Sequence, residues 1–335
     1  MAQRPVVAII FDRGTQRFIF DEATLDKLEK RFDLRWPATD QKVSETEAAG
    51  MLKEAEGCMT CWGSPALTAD VLADAPRLKI MAHAAGSVKA FVSPTLWSRG
   101  IVVASAAAGI AIDVAHYTVG LMVIGRKNAM ELAPDTARGQ WNRIGGHRAP
   151  DDLRGSTVGI VGASHVGREV IRLLGAYDVS MLLTDPFVSA QDAAALGVAK
   201  VELEELFRES DIVSVHAPAL PATHHLVNAE RLALMKDGAT LINTSRGSLV
   251  NEAALVAELK RRRIWAFLDV TDPEPPPAGS PLYGCPNLTL TPHIAGSSGR
   301  GRVHLGRLAV EELCRYFDGN PLRYAVTREM LGRIG

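Results

Sequence analysis

Cysteine is scarce in this chain: four residues among 335. So few thiols at this length build no disulfide framework, and the expected compartment is reducing and cytoplasmic. Cys58 and Cys61 form a CxxC, yet no second CxxC or nearby histidine pair completes a zinc set, so GCMTCW reads as a buried strand entering a loop. Net charge is also nearly absent. Lys plus Arg (37) and Asp plus Glu (38) leave a formal charge of -1, which excludes a global field that would draw nucleic acid or an anionic membrane. A signal peptide is not expected, because Arg4 comes too early and the run VVAII is too short. The most membrane-like stretch, 101–125, is interrupted by Asp113 and His116 and reads as a close-packed helix following a strand. No short-period repeat or low-complexity tract occurs. A small molecule is the expected partner.

Hydrophobic residues make up 47% of the chain, enough for two cores at this length. VVAII, GCMTCW, RLKIMAHA and GIVVAS read as strands alternating with helical DEATLDKLEKRF, SETEAAGMLKEAEG and LTADVLADAP, the pattern of a parallel sheet covered on both faces. A long helix is expected from about Asp113 to Leu132, followed by the connection GQWNRIGGHRAPDDLRG. Six more strand-like runs then follow: TVGIV, SMLLTD, DIVSVHA, ATLINT, IWAFLDV and NLTLT. The chain ends in the helical stretch GRVHLGRLAVEELCRYFDG. The expected fold class is therefore α/β with two Rossmann-like or flavodoxin-like parallel-sheet domains. A nucleotide domain at 113–299 is inserted into a discontinuous first domain of residues 1–112 and 300–335. KRRR at 260–263 reads as the solvated end of a helix, and DPEPPPAGSP at 272–281 as a stiff surface loop.

The chemistry begins at VGIVGASHVG, residues 158–167. Gly162 and Gly167 hold the outer places of a GxGxxG pattern, and Ser164 takes the middle one. Amides at His165 and Val166, opening a helix, would face phosphates. Asp185 ends the next strand 18 residues after Gly167, where a carboxylate accepts ribose hydroxyls and repels a 2'-phosphate, favouring NAD over NADP. Arg246 stands just past the strand ATLINT, and its planar fork suits a carboxylate and a neighbouring carbonyl. Glu274 and His293 follow the next two strands. Histidine titrates in the range that exchange of a hydroxyl proton needs, and a neighbouring carboxylate holds one tautomer.

LRGSTVGIVGASHVG, the TDP ending at Pro186, INTSRGSLVNEAAL, LDVTDPEP and NLTLTPHIAG resemble the D-isomer-specific 2-hydroxyacid dehydrogenases over nearly the whole chain. The resemblance implies an NAD-dependent enzyme interconverting a small D-2-hydroxy acid and its 2-oxo acid, working as a homodimer. It makes Arg246 the substrate-orienting residue, His293 the general acid/base and Glu274 its partner. Asp269 and the backbone after Thr244 go to the nicotinamide side of the cofactor. HAPALPAT, with His216, Ala217, Pro218 and Thr223, lines the adenosine and ribose path. The amides of Gly86, Ser87 and Val88 in AAGSVK cradle the substrate carboxylate. Three positions depart from the family: Ser164 for the middle glycine, His116 where glutamate is usual, and SAAAGIA without an asparagine. Glu274, where related formate dehydrogenases carry glutamine, points to a hydroxy acid. The alternatives are a non-enzymatic NAD(H)-sensing regulator on the same fold and a zinc alcohol dehydrogenase, the latter lacking its Cys and His ligands.

Overall fold

The structure, a computed structural model, describes residues 4–141, 148–285 and 287–333. It divides into two compact units, one made of the residues up to 110 and from 297 onward, the other of 111–296. In the first, β1 (Val6–Ile9), β2 (Asp33–Arg35), β3 (Gly57–Thr60), β4 (Ile80–His83) and β5 (Val102–Ser105) pair in parallel in the order β2-β1-β3-β4-β5. Side chains alternate between faces. Val7 and Ile9 enter one core, Val6 and Ala8 the other, so both faces are covered and the strands read as unbroken apolar runs. The crossovers hold α1 (Arg13–Ile19), α2 (Glu22–Arg31), α3 (Glu45–Leu52), α4 (Ala69–Leu72) and α5 (Pro94–Ser98). Asp12, Asp21, Ser44, Thr68 and Ser93 cap them, each side chain accepting a backbone amide of the first turn.

The helix α6 (Ala107–Arg126) carries the chain into the second unit, followed by α7 (Ala129–Ala137). It is long and apolar enough to cross a membrane by length and composition, with 44% of that window buried. Ala115, Val119 and Met122 lie in the second unit's core, where each fully buried aliphatic side chain contributes about 1.5–3 kcal/mol. Then follow β6 (Thr157–Val161), α8 (His165–Leu174), β7 (Ser180–Thr184), α9 (Ala190–Ala195), β8 (Ala199–Lys200), α10 (Leu203–Glu209) and β9 (Ile212–Val215). The unit continues with α11 (Ala229–Leu234), β10 (Thr240–Asn243), α12 (Glu252–Lys260), β11 (Trp265–Leu268) and β12 (Leu288–Leu290). The seven strands are parallel in the order β12-β11-β10-β9-β6-β7-β8, a doubly wound sheet whose order reverses between β6 and β9. Ligands of such sheets bind beyond the carboxyl ends of the strands. The chain finishes in the first unit with α13 (Arg300–Phe317) and β13 (Ala325–Val326), antiparallel to β5.

Several expectations change. The single helix expected over 113–132 is two helices, and it starts six residues early because Ser105 Oγ accepts the amide of Ala107. The break falls at Asn128, in the left-handed region at φ 52. Lys260 and Arg261 of KRRR fit a solvated helix end, but Arg263 does not: it pairs with Glu258 at 2.6 Å and donates to the carbonyls of Leu232 and Met235, tying α12 to α11. Part of the expected connection, 142–147, lies outside the described residues. Cys58 and Cys61 are buried, as a strand reading of GCMTCW implies, and burial pushes the Cys61 thiol up to about 12.

Two buried histidines give the fold a pH dependence. His83 in the first unit and His216 in the second bond through one ring nitrogen each to Thr60 Oγ1 (2.9 Å) and Ser214 Oγ (2.8 Å). Burial lowers their pKa to about 3 and about 4. The folded protein keeps both neutral, whereas the unfolded chain protonates them near 6.5, so stability is complete above that pH and declines as pH falls. By pH 5 each histidine should have removed about 2 kcal/mol, at about 1.36 kcal/mol per unit over 1.5 units. Urea midpoints measured from pH 8 to 5 should fall, and less steeply in His83→Gln and His216→Gln. A midpoint flat across that range would contradict the assignment.

Candidate active site

The first turn of the second unit brings β6 to α8. Gly162 sits at φ +97, and a Cβ there would lie 2.9 Å from the amide nitrogen of Ala217. At Gly167 a Cβ would lie 2.1 Å from the carbonyl oxygen of Gly162. Both positions therefore require glycine, so that strand, helix and the His216–Ala217 segment pack at backbone distance. Ser164 is the helix N-cap, accepting the amide of Gly167 at 3.4 Å. The residue that departs from the glycine pattern thus closes the helix end. The amides of Ser164, His165 and Val166 donate to no group among the described residues, and they sit at the positive end of a ten-residue helix. This is a cradle that fits a diphosphate.

Asp185, past the end of β7, does more than the sequence suggests. Its Oδ2 accepts the amide of Ala163 at 2.7 Å and its Oδ1 that of Phe187 at 2.7 Å, so the carboxylate shapes the glycine turn. Lone pairs remain for ribose hydroxyls. Of the segment assigned to the adenosine path, the buried His216 meets the glycine loop through its backbone, its ring being held by Ser214. Ala217 is buried, and Thr223 Oγ1 bonds the carbonyls of Pro218 (2.6 Å) and Leu220 (3.1 Å), closing the loop on itself. Thr244 is buried, its hydroxyl 3.0 Å from that of Thr118 on α6.

Arg246, Glu274 and His293 follow β10, β11 and β12, three neighbouring parallel strands, on one edge of the sheet. Arg246 is exposed and donates from Nη1 to the carbonyl of Ser245 at 2.7 Å. Glu274 Oε1 lies 2.6 Å from His293 Nδ1, with both side chains nearly half exposed. The pairing leaves Nε2 for other work. Gly247 lets the Arg246 segment lie against the loop that carries Glu274, since a Cβ there would stand 2.0 Å from the carbonyl carbon of Thr271. Glu252 adds a second tie by accepting the amide of Asp272 at 2.8 Å, and burial raises its pKa against the lowering effect of that hydrogen bond.

His293 has φ 53, a left-handed conformation that costs a non-glycine residue about 1–2 kcal/mol. Asp269 holds it there. Its buried carboxylate accepts Thr291 Oγ1 (2.6 Å) and the amide of Ile294 (2.9 Å) on Oδ1, and the amide of Ala295 (2.8 Å) on Oδ2. The carbonyl of Asp269 also accepts the amide of His293 at 2.9 Å. Asp269, assigned to the cofactor from sequence, is thus the anchor of the histidine loop. Tyr117 Oη extends the chain by donating to Thr291 Oγ1 at 3.2 Å. Thr291, Tyr117 and Glu252 escape sequence reasoning. Only Thr291 leaves a trace, two residues before His293 in LTPH.

In the first unit, AAGSVK leaves the carboxyl end of β4. The amides of Gly86, Ser87 and Val88 donate to no group among the described residues, while Ser105 Oγ fixes the loop by donating to the carbonyl of Gly86 at 2.7 Å. Three such amides in sequence form a nest for an oxyanion.

A doubly wound sheet, a glycine turn feeding a capped helix and an acidic residue at the next strand end define a dinucleotide-binding domain. Comparison with known proteins makes this specific. The family profile described as "D-isomer specific 2-hydroxyacid dehydrogenase, NAD binding domain" matches residues 119–295. D-3-phosphoglycerate dehydrogenase of Archaeoglobus fulgidus is 34% identical over 77% of this chain and 49% of its own length. Glyoxylate reductase of Korarchaeum cryptofilum is 30% identical over 92% of this chain and 94% of its own. The solved structure of a Thermus thermophilus protein superposes with a TM-score of 0.75 at 30% identity, covering 96% of this chain and 100% of that one. The protein belongs to the D-isomer specific 2-hydroxyacid dehydrogenase family. It spans only about half the length of the archaeal phosphoglycerate dehydrogenases it matches, 49% and 56% of theirs.

Proposed function

We propose that the protein is an NAD-dependent oxidoreductase that interconverts a small D-2-hydroxy acid and its 2-oxo acid. The observation that carries this reading is the 2.6 Å Glu274–His293 pair on the same sheet edge as Arg246, within a domain of the family that binds NAD. The open amides of residues 164–166 and the Asp185 carboxylate would hold the dinucleotide, which when bound supplies or accepts the hydride.

The chain's own residues do the rest. Arg246 binds the substrate carboxylate and polarises the carbonyl at C2. Glu274 accepts Nδ1–H of His293, which fixes the tautomer so that Nε2 carries the exchanging proton, and the carboxylate stabilises the imidazolium. In the reducing direction Nε2 gives its proton to the C2 oxygen. In the oxidising direction it takes the proton back. The amides of Gly86, Ser87 and Val88 are the first unit's donors to a substrate carboxylate. The repelling charge of Asp185 selects NAD over NADP.

The names of relatives divide between phosphoglycerate, glyoxylate, hydroxypyruvate and sulfolactate, so the common chemistry is a carboxylate beside a C2 oxygen. Initial rates with a panel of 2-oxo acids, each with NADH and NADPH, test the reading. NADH should be consumed with at least one acid and preferred at least tenfold. No consumption with any acid would favour a sensor of NAD(H).

A further inference from the structure

The first unit carries a cation framed by aromatic rings that the reaction described so far does not use. Arg302, in the first turn of α13, holds its guanidinium carbon 5.8 Å from the ring centroids of both Phe18 and Trp62. Phe18 and Trp62 are 57% and 42% exposed, so the two rings open to solvent on either side of the guanidinium. Arg302 Nε donates to the carbonyl of Ser297 at 3.3 Å. Its two terminal nitrogens have no hydrogen bond or carboxylate partner among the described residues. Asp12, the nearby acid that also bears on Cys61, is occupied: Thr15 donates to it from its amide (2.8 Å) and its hydroxyl (2.7 Å).

Its place matters. Thr60 of β3 lies opposite His83 of β4, and beyond that pair Ala84 donates its amide to the carbonyl of Thr60 at 2.8 Å and Cys61 Sγ donates to the carbonyl of Ala84 at 3.4 Å. Trp62 is two residues past β3, in the turn that the amide of Ser64 closes on the carbonyl of Cys61, and it lies past the carboxyl end of β3 as the amide nest lies past that of the neighbouring β4. The rings hold the guanidinium plane in place, which preserves its fork for a two-point contact with an oxyanion.

We propose that Arg302, framed by Phe18 and Trp62, is a specificity-determining residue that binds a second anionic group, at the far end of the substrate side chain. The substrate class is then a 2-oxo acid whose side chain ends in carboxylate, sulfonate or phosphate. This inference rests on the dehydrogenase reading.

The test is the ratio of kcat/KM for oxaloacetate to that for pyruvate, with 3-sulfopyruvate as a second anionic substrate and phenylpyruvate as an aromatic one. The wild type should favour an anionic acid over pyruvate at least 100-fold, and Arg302→Gln should erase that ratio, about 2.7 kcal/mol at 1.36 kcal/mol per tenfold. Arg302→Lys, which keeps charge without the fork, should recover part of it. Oxaloacetate against 3-sulfopyruvate identifies which anion fits. A ratio within threefold of unity in the wild type, or unmoved by Arg302→Gln, would overturn the inference while leaving the dehydrogenase reading intact, as would a preference for phenylpyruvate. Calorimetric titration with D-malate and D-lactate reads the same preference without turnover, so an inactive protein still decides it. D-malate should bind more tightly to the wild type and lose that advantage in Arg302→Gln, and equal binding would overturn the inference.

Discussion

His293→Ala should lower kcat by about 10²–10⁴, the range removed with a positioned general acid or base, while NADH binding stays within about twofold. The side chain is nearly half exposed and its ring makes a single hydrogen bond, to Glu274, so the variant should fold with near-native stability. Removing the ring also relieves nothing at the backbone, since φ 53 is imposed by the bonds to Asp269. Glu274→Gln is the finer probe. It keeps an acceptor for Nδ1–H but removes the charge that stabilises the imidazolium, so kcat should fall less than in His293→Ala. Stopped-flow NADH binding with steady-state rates separates the two effects. Unchanged turnover in His293→Ala would remove the histidine from the mechanism.

Asp269→Ala should be the most damaging single change in the second unit. It strands the buried amide of Ala295 and the partly buried amide of Ile294 and frees Thr291 Oγ1, at about 1–3 kcal/mol for each buried group left unpaired. The loop then loses what holds His293 in its left-handed conformation. A loss of about 3–5 kcal/mol of stability is expected, with turnover near background. Asp269→Asn distinguishes positioning from mere stability: Oδ1 still accepts from Thr291 and Ile294, but an amino group faces the amide of Ala295. That variant should remain folded with kcat reduced at least 100-fold and its KM for the 2-oxo acid changed far less. A kcat within twofold of wild type would show that Asp269 does not position the histidine.

The glycine turn, the strand ends and the terminal helix were legible because each is local. Gly162 and Gly167 announce a close backbone approach, and the runs SMLLTD, ATLINT, IWAFLDV and NLTLT end one or two residues past the strand ends Thr184, Asn243, Leu268 and Leu290. The α13 helix runs over Arg300–Phe317, starting one residue before the helical stretch read from its pattern and ending two before that stretch does. What escaped was tertiary. β2, β8 and β13 have two or three residues each and lie toward the sheet edges, so no periodicity marks them. The resemblance placed Asp269 on the nicotinamide side of the cofactor, and its role as anchor of the histidine loop could not be read locally because its three donors come from 22 to 26 residues away. Ser164 read as a missing glycine, and only the geometry of α8 shows it capping the helix. Arg302 sits in an ordinary helical pattern, and its aromatic frame comes from α1 and from the residue two past β3.

The central claim is that this chain moves a hydride to C2 of a 2-oxo acid while His293 delivers the proton, giving the D product. The direct measurement is chiral analysis of the product formed from NADH and the 2-oxo acid of the panel that is reduced fastest by the wild-type protein, with NADH consumption followed in the same sample. The account predicts one D-2-hydroxy acid for each NADH consumed, and essentially none with His293→Ala. NADH consumption without the D-2-hydroxy acid, or formation of the L enantiomer, would contradict it.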